Sequence, residues 1–230
     1  MPVAHPKYID RRDAGRHLVP LLAKWKDAGA IVFALPRGGV PVAVEVAKAL
    51  NAPLDLLYVR KIGAPLEPEL ALGAVVDGAD PDVVLNEALI AQLGVSQAVL
   101  GEITARELRE IERRRRSYGA STVPLMPTGR PAIVVDDGLA TGASMRAAVK
   151  ALRRRGATHV VAAVPVAPPD AVADLEAGGA EVVCPLVTDR FFGVGSFYRD
   201  FRQLGDDDVR AALDEMERDG EPTAASECAD

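Results

Sequence analysis

The sequence predicts an α/β fold, with a mostly parallel central sheet flanked by helices, and three observations carry that expectation. Short apolar runs rich in valine and isoleucine alternate along the chain with stretches whose apolar residues recur at helical spacing. The runs are apolar without interruption, the composition of strands buried on both faces of a parallel sheet. Two of them, at 30–35 and 132–135, lead through a glycine-bearing turn directly into a helical pattern. In such a fold ligands lie at the carboxyl ends of the strands, where both of these turns fall.

The totals narrow the class. A chain of 230 residues is long enough for one sizeable domain. We expect that domain over 1–218, with a core over about 30–185. A polar tail at 219–230 is expected to be disordered. With 49% apolar and 26% charged residues, the composition is that of a soluble globular protein. The net charge of −6 argues against general nucleic-acid binding. Two cysteines, Cys184 and Cys228, make no disulfide framework, so a reducing compartment is the simple inference. The first residues lack a basic-then-apolar signal pattern, and no apolar run approaches membrane-spanning length. The expectation is a cytoplasmic protein without a membrane partner.

Taken in order, residues 8–26 are loosely helical through Ile9, Leu18, Leu21, Leu22 and Trp25, with Asp10-Arg11-Arg12-Asp13 near the start and a stop at Gly29. His5 and His17 have no metal-ligand company. The strand at 30–35 runs into Pro36-Arg37-Gly38-Gly39-Val40-Pro41, and a helix follows on Val40, Ala43, Val44, Ala47 and Leu50. Backbone amides at Gly38 and Gly39, together with Arg37, suit an anion. A strand at 54–59 is followed by a loop opening on Arg60-Lys61, then another strand at 71–76. Asn86 caps a short helix that ends at Gly94, and Ser96 begins a longer one through about Ser117. Glu102–Arg106, Glu110–Arg114 and Glu112–Arg116 are spaced as i, i+4 pairs, so the run Arg113-Arg114-Arg115-Arg116 reads as a salt-bridged face rather than an RNA site. Residues 119–130 form a loop back to the sheet.

The segment at 131–144 joins strand, acidic pair, loop and helix in one run. Ala132-Ile133-Val134-Val135 ends in Asp136 and Asp137, then Gly138, Thr141, Gly142 and Ser144 precede a helix marked by Met145, Ala148, Val149 and Leu152. Backbone amides, two hydroxyls and the positive end of a helix dipole suit a phosphate monoester. An ionised carboxylate accepts hydrogen bonds from a diol. A ligand with a phosphate at one end and a vicinal diol nearby is a ribose 5-phosphate. There is no Gly-Lys-Ser/Thr ending and no G-x-G-x-x-G spacing, so P-loop and dinucleotide motifs are set aside.

Beyond this, His159 opens a strand to Val164, prolines at 165–169 break the pattern, a helix covers 170–178, and 181–184 is a last core strand. Phe191, Phe192, Phe197, Phe201 and Tyr198 then cluster around Gly193 and Gly195. Such rings either stack on a base or seal the core edge. Asp206-Asp207-Asp208 opens a final helix.

With Ala132 and Ile133 ahead of it, Val134-Val135-Asp136-Asp137-Gly138-Leu139-Ala140-Thr141-Gly142-Ala143-Ser144 resembles the phosphoribosyl diphosphate (PRPP) signature of the type I phosphoribosyltransferase family: four apolar residues, two acidic ones, three loose positions, then Thr-Gly-x-Thr/Ser. The resemblance covers roughly residues 30 to 200. It implies the fold of that family with a small hood from the N-terminal segment and residues 185–205, Asp136 and Asp137 on the ribose hydroxyls, and Gly138, Leu139, Ala140, Thr141, Gly142 and Ser144 on the 5-phosphate. By the same resemblance Arg37, Gly38 and Gly39 hold pyrophosphate. Arg60 and Lys61 open the mobile loop that closes over PRPP and assist catalysis, and the segment after the last core strand holds a base, with Phe191 and Phe192 as candidates. The implied activity transfers 5-phosphoribosyl from PRPP to a nitrogenous base, with Mg2+ held mainly by PRPP; a homodimer is compatible with it. No residue stands out as a general base. The competing readings are a PRPP- or nucleotide-sensing regulator on the same fold, and a nucleotide hydrolase or phosphorylase.

Overall fold

The computed structural model describes residues 7–67, 70–78, 81–118 and 124–220. After helix α1 (Arg11–Leu18), capped by the Asp10 carboxylate on the Asp13 amide, Pro20 removes a donor and the chain tightens into a 3-10 turn at Val19–Trp25. The expected helix over 8–26 is thus two short pieces. Strand β1 (Ile31–Ala34) is buried at every position and feeds helix α2 (Gly39–Leu50). Strand β2 (Leu54–Leu56) is shorter than expected, because the chain leaves the central sheet after Leu57, whose amide still donates to the Ala34 carbonyl, and re-pairs elsewhere from Val59.

That second pairing corrects the expected loop after 59. Strands β3 (Val59–Gly63), β4 (Ala71–Val76) and β5 (Asp82–Leu85) form a separate antiparallel sheet in the order β3-β4-β5. Arg60 and Lys61 are therefore strand residues, facing Val75 and Ala74 across the ladder. Helix α3 (Glu87–Leu93), capped by Asn86 and closed at Gly94, and helix α4 (Gln97–Ser117), capped by Ser96, follow as expected.

The chain then returns to the centre as β6 (Pro131–Val135), followed by α5 (Ala143–Arg154), β7 (His159–Ala163), a two-residue β8 (Val166–Ala167), α6 (Pro169–Ala177), β9 (Glu181–Val183), a two-residue β10 (Leu186–Val187), a 3-10 turn at Val194–Phe197 and α7 (Asp206–Gly220). The expected polar tail falls mostly at 221–230, outside the described residues. The loop expected at 119–130 lies partly outside them as well.

The main sheet is parallel throughout, in the order β2-β1-β6-β7-β9. Its side chains alternate between two cores, which explains the uninterrupted apolar runs. Val32, Ala34, Ile133 and Val135 pack with α2 and α7, whereas Ile31, Phe33, Ala132 and Val134 pack with α5 and α6. Among the described residues no helix is long and apolar enough to cross a membrane.

The strand order decides where a ligand fits. From β1 the chain moves outward to β2, and the later strands β6, β7 and β9 build on its other side. The direction of winding therefore changes between β1 and β6, and at such a switch point the turns after the two strands splay apart to leave a crevice. Here those turns are Pro36–Gly38 and Asp136–Gly142.

Candidate active site

The β1–β6 register, Ala34 opposite Val135, brings the two turns together, and the Leu35 amide donates to the Val135 carbonyl at 3.0 Å. The glycines permit this approach. A Cβ on Gly39 would lie 2.5 Å from the Val135 carbonyl oxygen, and one on Gly38 would lie 2.1 Å from Oδ2 of Asp137. The peptide joining Pro36 to Arg37 is cis. Gly142, at φ +68°, turns the chain into α5, whose first-turn amides have no partner within the helix and point back towards the loop. Thr141 and Ser144 are exposed there.

The carboxylate pair sits below this loop. Oδ1 of Asp136 accepts from the Asp137 amide at 2.8 Å. Burial, and then the neighbouring Asp137, push the Asp136 carboxyl well above the ordinary carboxylate range. Burial also raises Asp137, opposed by Arg11, whose Nε donates to Oδ2 at 2.8 Å. A buried carboxylate next to another is costly to ionise unless a cation faces it, and Arg11 supplies that cation. The Arg11 guanidinium is itself fixed: Nη1 donates to the Arg202 carbonyl at 3.1 Å, and the group lies 3.9 Å over the Phe201 ring.

Arg11 reaches the pair because the N-terminal segment is tied to the chain after β10. Tyr8 bridges to Tyr198, its amide donating to the Phe197 carbonyl while its own carbonyl accepts from Arg199, both at 2.9 Å. The Tyr198 hydroxyl donates to the Asp137 carbonyl at 2.6 Å, and the Tyr8 hydroxyl to the Pro165 carbonyl at 2.7 Å. Both phenols are buried, and burial raises their pKa, so they stay neutral donors.

Of the residues singled out in the sequence, Asp136, Asp137, Gly138, Leu139, Ala140, Thr141, Gly142 and Ser144 form one continuous turn, and Arg37, Gly38 and Gly39 stand against it. Leu139 points into the core, its amide donating to the Val166 carbonyl at 2.9 Å, so it shapes the loop. Arg37 has Nη1 3.7 Å from Asp206 at the start of α7. Arg60 is not brought to this crevice. Its Nε and Nη2 both meet Oε2 of the buried Glu107 on α4 at 2.9 Å. Lys61 is exposed on the same strand.

The two expected base-pocket rings are not brought in either. Phe192 is 90% exposed, and Phe191 packs on Phe197 at 5.6 Å between ring centroids. Instead Phe201, Gln203 and Leu204 line a cavity of about 350 Å³ with Arg11, Arg37 and Asp137. Sequence reasoning passed over Arg11 and Gln203. Arg11 showed only as one charge in Asp10-Arg11-Arg12-Asp13, and Gln203 gave no signal.

Fold and site together define an α/β protein in which two glycine-bearing turns and a buried carboxylate pair meet at the switch point of the sheet. The model of the phosphoribosyl transferase domain matches residues 16–202, and the chain belongs to that family. Two Mycobacterium tuberculosis proteins, from strains CDC 1551 and H37Rv, are named provisionally as phosphoribosyl transferases; each is 46% identical over 214 residues, 92% of this chain and 47% of the relative. The chain thus spans about half the length of the curated relatives it matches. The crystal structure of TT1426 from Thermus thermophilus is 43% identical with a TM-score of 0.75, covering 91% of this chain and 99% of that one.

Proposed function

We propose that this chain is a magnesium-dependent phosphoribosyltransferase that moves the 5-phosphoribosyl group of PRPP to a nitrogenous base and releases pyrophosphate. The observation that carries the reading is the meeting of two anion-binding turns over one buried carboxylate pair, which matches a ligand with two phosphate groups and a diol between them. Family membership supports the transferase class.

In this reading the amides at the start of α5 and the Thr141 and Ser144 hydroxyls hold the 5-phosphate. Asp136 and Asp137 accept hydrogen bonds from the ribose hydroxyls and favour the positive charge that develops on the ring as pyrophosphate departs. Arg37 and the Gly38–Gly39 amides hold the pyrophosphate, exchanging the 3.7 Å contact with Asp206 for phosphate oxygens. Arg60 would contribute only after release from Glu107.

The oxygen donors of the site suit a magnesium ion carried mainly by the substrate. Asp136 and Asp137 would meet its waters, and among the described residues no three His, Cys, Asp or Glu side chains converge into a cage. Such an ion supplies charge neutralisation on the leaving group. Titration calorimetry with PRPP tests the reading. Asp137→Asn should keep the fold and weaken PRPP binding by about tenfold or more, about 1.4 kcal/mol. Equal affinity in variant and wild type would remove the carboxylate pair from the site.

A further inference from the structure

The cavity beside Asp137 has a chemistry that the ribose and pyrophosphate do not use up. It is lined by Arg11, Phe201, Gln203 and Leu204 from the two chain segments joined at Tyr8 and Tyr198, and by Arg37, Gly38 and Asp137 from the two turns. At about 350 Å³ it is large enough for one planar heterocycle. Asp137 is its one carboxylate, and that group is already engaged by Nε of Arg11 at 2.8 Å. Arg11 keeps a further donor: Nε goes to Asp137 and Nη1 to the Arg202 carbonyl, while Nη2 has no hydrogen-bond partner among the described residues. With Phe201 against one face at 3.9 Å and only 9% of the residue exposed, this guanidinium cannot swing away to solvent. The guanidinium thus borders this cavity with N–H groups to spare, and borders a second one beside Asp10, Asp200 and Asp208 as well.

A second observation limits where a proton can go. A nitrogen nucleophile that must shed a proton as it attacks needs a base within hydrogen-bond reach. Among the described lining residues there is no histidine, and Asp137 is committed to Arg11 and to the ribose.

Resting on the transferase reading above, we infer that the acceptor is a planar nitrogen heterocycle carrying a carboxylate or an equally acidic ring oxygen, and that Arg11 is the specificity residue that recognises it. The acidic group of the acceptor is ionised before it enters, and where the attacking nitrogen carries a hydrogen, that proton passes to water or to the departing pyrophosphate. The C1–O bond of PRPP then breaks with its electron pair leaving on pyrophosphate, and the C1–N bond forms from the acceptor lone pair. No proton moves to the protein. Gln203 offers an amide to the remaining edge, and Phe201 backs the guanidinium. A fixed cation discriminates because a neutral analogue leaves its donors unpaired.

The test is a ratio. Pyrophosphate release is measured with PRPP and magnesium for matched acceptors, orotate against uracil and nicotinate against nicotinamide, and kcat/KM for the anion is divided by that for its neutral partner. Wild type should favour at least one anion by tenfold or more. Arg11→Met should bring the ratio to within about threefold of one, and Arg11→Lys should retain most of it. Any harm to PRPP binding through Asp137 falls on both acceptors and cancels. A wild-type preference for the neutral partners, or an unchanged ratio in Arg11→Met, overturns the inference, the latter assigning Arg11 to PRPP alone. Should Arg11→Met fail to fold, the wild-type ratio and the Arg11→Lys ratio decide. Calorimetry on wild type separates the two levels: failure to bind PRPP overturns the transferase reading and this inference with it, whereas PRPP binding with no anion preference overturns this inference alone.

Discussion

A Cβ atom on Gly38 would stand 2.1 Å from Oδ2 of Asp137, so the backbone of the turn after β1 rests directly on a carboxylate of the turn after β6. The two turns lie on neighbouring strands, β1 and β6, yet about a hundred residues separate them in sequence. Their contact makes one site out of two local motifs.

Gly38 has φ −60° and ψ −39°, a conformation that alanine adopts without strain. The cost of Gly38→Ala should therefore fall on the site rather than on the backbone. Displacing Asp137 should also loosen its ion pair with Arg11. We expect PRPP affinity to fall by about tenfold or more, with a melting temperature close to wild type. Calorimetry together with thermal unfolding checks this; a folded variant with full PRPP affinity would show that Asp137 need not occupy its present position.

Asp136 gives a prediction in pH. Burial raises its carboxyl well above the ordinary range, so the folded state holds that proton more tightly than the unfolded chain does. Between the ordinary value and the raised one, stability then falls as pH rises. Asp136→Asn removes that dependence. The variant should be more stable than wild type at neutral pH, by about 1 kcal/mol on the scale of single stabilising substitutions, and the gain should shrink as the solution is acidified through the window. Urea unfolding at pH 5 and pH 8 measures it. A gain that is the same at both values, or a loss at both, would mean that the carboxyl is not held at a raised pKa.

The local parts of the site were legible because their signals are contiguous. An apolar strand, two carboxylates, two glycines and a helical period follow one another within 131–152, and each link has its own physical reason. Arg11 was not legible, since it meets Asp137 across 126 positions and only the folding back of Tyr8 onto Tyr198 brings it there. The hairpin from β3 was hidden for a different cause. Lys61 lies on its solvated face and Arg60 is met by Glu107 from α4, so two cations that read as the start of a loop sit in an antiparallel strand. The aromatic cluster was visible, but which ring faces the cavity depends on turns at Gly193 and Gly195 that carry no distinguishing pattern.

The rings can be told apart by experiment. Phe201 lines the cavity under Arg11, whereas Phe192 is 90% exposed. Phe201→Ala should raise the acceptor KM by about tenfold, because the ring that holds the Arg11 guanidinium in place is lost, and Phe192→Ala should leave it within about twofold of wild type. Steady-state kinetics at saturating PRPP reads both. The reverse order of effects would place the acceptor beyond the cavity, against the outer face of the aromatic segment.

The most direct test of the whole account is pyrophosphate release from PRPP in the presence of magnesium and a panel of nucleobases and related heterocycles. A phosphoribosyltransferase releases pyrophosphate only when its acceptor is present, and the rate should fall by about tenfold or more in Asp137→Asn. Release that is independent of every acceptor would point to hydrolysis. Tight PRPP binding without release for any acceptor would contradict transfer and make the protein a sensor of PRPP on the same fold.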